Sequence, residues 1–294
     1  IREENGIAAL EVMSRFAADP RWLIYLPPTM SPSETSKEEG YLEHPAEAFS
    51  YFRNRGIPKV VCEEKHMGSR AVLIVCKDEK TVKKRFGITS ESLGICYTRT
   101  GRHFFEDKNL EAEFINRVRI ALDKSGFWDE FNTNWVCLDC ELMPWSAKAQ
   151  VLIKEQYAPV GVAGKYALRE TVNLLEKASL REMNMFNVSD NTSGQCTDIK
   201  NLLEKYKVRH ELLGKYVDAY RRYCWTVNSL DDIKLAPFHI LATEGAVHTE
   251  RDHLWHMDRI AAICKEDPTL LMATRHKLVD VTDNESFADD IKWW

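Results

Sequence analysis

Cys62-Glu63-Glu64-Lys65-His66-Met67-Gly68-Ser69-Arg70 is the densest concentration of reactive side-chain types in the chain. A lysine at a strand-to-turn corner, with glycine three residues on and arginine five on, suits attack on a phosphate. The amine would be the nucleophile. Gly68 would let backbone and phosphate approach closely, and the Arg70 fork would hold phosphate or ribose oxygens. An ordinary lysine amine has a pKa of ~10.4 and is almost wholly protonated at neutral pH. Carboxylates such as Glu63 and Glu64 would favour the ammonium further, so attack requires a divalent cation or more basic groups nearby. The same residues would also make a solvated hairpin turn, and K-x-x-G-x-R by itself leaves both readings open.

A second signal lies in Trp135 to Leu142. As a strand, this run puts Trp135, Cys137, Asp139 and Glu141 on one face. Two acids on one face of a mostly apolar strand are costly unless they meet a cation or a donor. Cys137 and Cys140 form a C-x-x-C, but side chains three apart on a strand point to opposite faces, against a zinc site. The eight scattered cysteines read as reduced core thiols. His248, His253 and His256, with Glu250 and Asp252, form a loose cluster that matches no zinc signature. His253 and His256 fit successive turns of a surface helix. Tyr216, Tyr220, Tyr223 and Trp225, interleaved with Lys215, Arg221 and Arg222, would either stack single-stranded RNA or form a packed aromatic face with basic flanks.

Several elements must position these residues. Lys59–Glu63 and Arg70–Lys77 read as strands on either side of the lysine turn. Thr98-Arg99-Thr100-Gly101-Arg102 is a polar turn, after which Asp107 opens a helix carrying Leu110, Phe114, Val118 and Leu122 and ended by Ser125-Gly126. Pro45 to Arg55 is a short helix closed by Gly56. Ile7–Ala18 is amphipathic, and the Pro-rich Leu26–Pro32 runs extended. Pro237–Ala242 predicts a strand, Arg251–Lys265 a helix, and Asn284–Trp294 the start of another. From Ser146 to about Thr226 helix formers dominate, with a polar break at Ser189–Gly194. The expected organisation is an N-terminal segment packing on the core (1–45), a first part of the core (46–145), a helical insert (146–232) and the rest of the core (233–294).

Composition narrows the class. The 294 residues are 44% hydrophobic and 29% charged, as in globular proteins, and this excludes disordered and low-complexity classes. Ala71–Cys76 is the longest apolar run, far short of the ~20 residues that span a bilayer. No secretory signal precedes the first helix, so the expected location is cytoplasmic. Forty basic against forty-five acidic residues give a formal charge of −5. Nucleic acid would therefore need a local basic groove on this chain. Beginning with Ile1 and stopping at Trp293-Trp294, the sequence reads as a piece of something longer.

Lys65-His66-Met67-Gly68-Ser69-Arg70 resembles the signature K-x-D-G-x-R of DNA ligases, RNA ligases and mRNA capping enzymes, with Met67 in the aspartate's place. Glu63 matches the E-x-K of many ATP-dependent ligases. Tyr97–Arg102 looks like the second motif of that superfamily, Leu138–Leu142 like the third, and Pro237–Leu241 like the strand that flanks the adenine. Together with Leu26–Pro32 and Glu141–Trp145, the string Glu63–Arg70 is similar to the ligase domain of the bacterial polynucleotide kinase-phosphatase family. That family repairs RNA with a 2′-O-methyltransferase partner. The resemblance implies an α+β nucleotidyltransferase (ATP-grasp-like) core of antiparallel sheets and helices with an inserted α-helical module. It implies ATP-dependent RNA ligation: Lys65 forms lysyl-AMP, and AMP passes to an RNA 5′-phosphate before a 3′-hydroxyl seals the strand. It further implies Mg²⁺ or Mn²⁺, with Glu141 toward the metal. Glu63, Glu64, His66, Arg70, Arg99, Arg102, Asp139, Glu141 and Phe238 would form the nucleotide-binding set, although a strand phenylalanine such as Phe238 equally suits a core. Kinase and phosphatase domains would share the polypeptide. The later E-G-x-V-x-K and K-x-K motifs are expected beyond Trp294, since Glu244-Gly245-Ala246-Val247-His248 imitates the first but ends in histidine and reads as a loop. A GTP-dependent capping-type guanylyltransferase and an inactive partner-binding module are the alternatives.

Overall fold

The apolar run after Arg70 becomes the second strand of a five-stranded sheet in the computed structural model, which describes residues 2–28, 35–89, 92–144, 153–186, 193–223, 225, 227–283 and 287–294. That strand, β2 (Ser69–Cys76), follows β1 (Lys59–Glu63) and precedes β3 (Gly94–Thr98), β4 (Trp135–Met143), β5 (Lys234–Thr243) and β6 (Ala246–Val247). The sheet order is β3-β2-β4-β5-β6, with every pairing antiparallel. Strand β1 leaves this sheet and pairs antiparallel with β7 (His276–Asp280). Since β1 and β2 do not pair, residues 64–68 are a crossover between two sheets, and the hairpin reading is wrong. Local propensity made both strands legible; the partner that β1 chooses lies far along the chain.

Register sets the two faces of the larger sheet. Arg70 stands opposite Glu141 and Val72 opposite Asp139, so Arg70, Val72, Ile74, Trp135, Cys137, Asp139 and Glu141 share a face. The apolar part of that face packs with Trp22, Val82, Phe86, Ile95, Tyr97 and Leu241 in one cluster. Leu73, Leu138 and Cys140 belong to the opposite face and are fully buried. Helix α1 spans Glu3–Phe16 and α2 Pro45–Asn54, where Gly56 takes a positive φ of 72° just past the cap. Helix α3 (Lys108–Lys124) opens on Asp107, whose carboxylate accepts from the Asn109 and Leu110 amides. Phe114, Ile115, Val118 and Leu122 are its buried stripe.

The chain forms two compact units, Ile1–Met143 with Asn228–Trp294, and Pro144–Val227. In the second unit, α4 (Ala158–Phe186) and α5 (Ser193–Tyr223) lie close. A Cβ on Gly164 would come within 3.0 Å of Leu213, and Lys207 pairs with Glu176 at 3.3 Å. Tyr216 is exposed, and Lys215 pairs with Glu211. The side chains of Tyr220 and Tyr223 lie outside the described residues, as do Thr29–Pro32, Trp145 and most of the predicted break at 189–194. The first unit continues with α6 (His253–Cys264) and α7 (Phe287–Trp293).

Candidate active site

Arg70 enters β2 from the crossover and reaches diagonally across the sheet to Asp139. Its Nε donates to Oδ1 at 2.8 Å and its Nη2 to Oδ2 at 2.5 Å. Asp139 is only 1% exposed and Arg70 26%. The cost of two acids on an apolar strand is thus offset by a forked, charge-assisted pair. On its other side the guanidinium lies 4.9 Å over the Phe238 ring. Phe238 falls where the β4–β5 register slips, since Asp139 pairs with His239 while Cys140 pairs with Pro237. The bulge explains how Phe238 and His239 both come to the site instead of alternating away from it.

Glu141, opposite Arg70, accepts from the Gly68 amide at 3.2 Å through Oε1. Burial pushes its carboxyl up to about 6, with the Gly68 hydrogen bond and the Arg70 and Lys65 charges opposing. Gly68 is required at this position because an added Cβ would sit 2.3 Å from the Leu142 carbonyl oxygen. Lys65 is exposed and forms no ion pair among the described residues. Glu64 is exposed, and its amide donates to the Arg275 carbonyl. His66 turns its Nε2 to Thr274 Oγ1 at 2.9 Å, which pins the crossover to the chain leading into β7.

A cavity of about 250 Å³ lies beside the Arg70–Asp139 pair, lined also by Tyr25, His239, Thr249, Arg251, His253 and His256. Lys65 is not among its lining residues. Burial and the neighbouring Asp139 raise the Tyr25 phenol. Glu63 Oε1 stands 3.1 Å from His253 Nε2. Burial alone would raise the Glu63 carboxyl, but His253 outweighs it and lowers it; the same contact raises His253. His239 lies 5.0 Å, ring to ring, from both His253 and His256. Burial and those two neighbours hold His256 down at about 4 and its Nδ1 accepts the Ile240 amide at 3.2 Å.

Arg70, Asp139, Glu141 and Phe238 are therefore brought together, with Glu63 joined through His253. Arg99 and Arg102 sit on the exposed turn after β3, at the same end of the sheet because Thr98 pairs with Ala71. Gly101 holds that turn at a φ of 77°, and its carbonyl accepts from Ala18. Helix α6 has an exposed face at Asp258, Arg259 and Ala262, but His253 and His256 stand on its inward side: His256 is buried and His253 half-buried. Among the described residues no group of three or more His, Cys, Asp or Glu could hold a metal. Glu244 accepts from Asn134 at the opposite end of β4 and takes no part. Sequence reasoning missed Tyr25, His239 and Arg251. Of these only His239 had a signal, as the polar residue inside Pro237–Leu241.

An antiparallel sheet bearing an Arg–Asp pair and a carboxylate at one end, joined to a second sheet by a lysine-bearing crossover, defines an α+β nucleotidyltransferase fold. The chain belongs to the PNKP adenylyltransferase domain (ligase domain) family, which it matches over residues 8–294. No curated protein sequence matches it. Two solved structures are similar over 99% of this chain and 72% of theirs. One is of a Pnkp1/Rnl/Hen1 complex, at a TM-score of 0.61 and 19% identity; the other, of the Pnkp1/Rnl/Hen1 RNA repair complex, gives 0.60 and 18%. At such identities the likeness establishes the fold. No helix among the described residues is long and apolar enough to cross a membrane.

Proposed function

We propose that this adenylyltransferase domain is an ATP-dependent RNA ligase whose nucleophile is Lys65. The Lys65 amine, after giving its proton to solvent, attacks the α-phosphorus of ATP. A P–N bond forms as the bond to pyrophosphate breaks, and AMP is held as a phosphoramidate. AMP then passes to an RNA 5′-phosphate, freeing Lys65, and a 3′-hydroxyl displaces it to seal the strand. The observation that carries this reading is the position of Lys65. It is exposed on a crossover whose two ends are pinned by Glu64 and His66 on one side and Gly68 on the other, next to the Arg70–Asp139 pair. Positioning of this kind is the main catalytic contribution expected for phosphoryl-type transfer.

Phe238 offers a stacking face for the base, Glu63 a carboxylate for the adenine amino group, and Arg70, Arg99 and Arg102 cations for phosphates. Mg²⁺ or Mn²⁺ would be held by Glu141, which keeps one oxygen on the Gly68 amide and has a second to offer. A single carboxylate suits Mg²⁺, which keeps its waters and takes the rest of its shell from substrate phosphates; the ion would neutralise charge there. Asp139, committed to Arg70, is left to position it. The proposal extends to a cytoplasmic repair enzyme with kinase and phosphatase domains in the same polypeptide, a methyltransferase partner, and residues 146–232 as an insert.

Incubation with α-labelled ATP or GTP and Mg²⁺ tests this reading. Acid-labile label from ATP, absent in Lys65→Ala, is expected. Preference for GTP would make the domain a guanylyltransferase, and no label from either nucleotide would make it a binding module.

A further inference from the structure

Residues 77–87 carry Lys77, Lys80, Lys83, Lys84 and Arg85 against only Asp78 and Glu79, in a chain whose formal charge is −5. They fold as one helical turn (Glu79–Thr81) continued by a π-helical turn (Val82–Phe86) and closed by Gly87 at a φ of 65°. Val82 and Phe86 point into the core, so Lys80, Lys83, Lys84 and Arg85 are left exposed. None of these lysines forms an ion pair among the described residues. The Arg85 guanidinium is braced over two rings, 5.1 Å from both Phe86 and Trp135. Lys80, Lys84 and Arg85 line a cleft of about 240 Å³ with Asp78, Thr81, Asn134 and Glu244. Its two carboxylates are occupied, Asp78 by the Thr81 amide and hydroxyl and Glu244 by the Asn134 amide.

This cleft lies on the same sheet face as Arg70 and Asp139, because Val82 and Phe86 share a cluster with Val72, Ile74 and Cys137. It lies at the opposite end of β2, roughly 20 Å from Arg70 at ~3.3 Å per residue. We infer that the Lys80–Lys84–Arg85 cleft is a second nucleic-acid contact, which takes the phosphodiester backbone of an RNA strand whose end is at Lys65. The substrate class rests on the function proposed above; the contact rests on charge and placement. Phosphate contacts alone fix register without reading sequence, as flexible lysine point charges do.

The test is binding of a 5′-phosphorylated single-stranded oligoribonucleotide, followed by fluorescence anisotropy across a salt series, with wild type and Lys80→Gln/Lys84→Gln. Both substituted side chains are exposed, and equal melting temperatures check the fold. The slope of log affinity against log salt should become shallower by about 1.4, from ~0.7 per lost single-strand contact. Lys124→Gln, on α3, should leave it unchanged. Uptake of AMP from ATP should stay at the wild-type level in the double variant. An unchanged slope would overturn the inference; if poly-glutamate, measured in the same way, binds wild type and is lost in the double variant while the RNA slope stays unchanged, the cleft is a surface for an acidic protein instead. Failure of wild type to take label from ATP would sink the ligase reading, while the salt slope would still judge this cleft.

Discussion

Arg70 and Asp139 face each other diagonally across the β2–β4 step, with Nε donating to one carboxylate oxygen, Nη2 to the other, and Asp139 almost wholly buried. The pair converts a liability of the strand pattern into the fixed point of the site. Arg70 cannot swing away from its partner without stranding a buried charge, so its outer face stays over Phe238.

Breaking the pair should therefore cost stability as well as function. Asp139→Asn is expected to lose about 3 kcal/mol, the low end for a disrupted buried pair because Arg70 is partly exposed. Arg70→Ala should lose at least as much, since it leaves the more buried member alone. Urea unfolding midpoints at constant slope check the ordering.

Glu141 gives the site a pH dependence with a definite sign. Its carboxyl is raised from 4.5 to about 6, so the folded state binds this proton more tightly than the unfolded chain does. The associated stability is present below about 4.5 and is lost as pH rises through about 6. Metal and nucleotide binding need the opposite form, the carboxylate. AMP uptake should accordingly rise through about pH 6, and Glu141→Gln should lower the rate and erase that inflection. A pH–rate profile of both proteins decides it.

Glu63 and His253 should couple most strongly at mildly acidic pH. The Glu63 carboxyl is lowered, so its contribution is lost as pH falls below its ordinary 4.5; His253 is raised, so its contribution is lost as pH rises above its ordinary 6.5. A double-mutant cycle with Glu63→Gln and His253→Gln should give a larger coupling at about pH 5.5 than at about pH 8. Equal coupling at both would place the contact outside the electrostatics of the site.

Gly68→Ala should destabilise the crossover. Its Cβ would meet the Leu142 carbonyl oxygen at 2.3 Å and Met143 Cγ at 2.9 Å, so the start of β2 must shift away from β4. A loss of about 2–3 kcal/mol is expected for such overpacking, read by thermal unfolding, together with weaker AMP uptake as Glu141 loses its amide donor.

What the sequence disclosed of this site follows the range of the forces involved. The β1 boundaries, the Asp139–Glu141 face and the Asp107 cap are set by neighbours a few residues away, and period and capping reveal them. The pairing of β1 with β7 and the contact of Glu63 with His253 join segments far apart in the chain, for which no local rule exists. His256 shows why the histidines of that helix turn inward. The bulge in β5 leaves the Ile240 amide in want of an acceptor, and a buried imidazole supplies it. Tyr25 was invisible for the same reason: its carbonyl accepts from Tyr97 and it reaches the cavity through tertiary packing alone.

The central claim concerns one nitrogen atom. Peptide mapping by mass spectrometry, after incubation with ATP and Mg²⁺ and digestion under conditions that spare phosphoramidates, locates the bound nucleotide directly. The account predicts one AMP moiety on Lys65, lost on brief acid treatment. AMP on any other residue, with Lys65 unmodified, would contradict it.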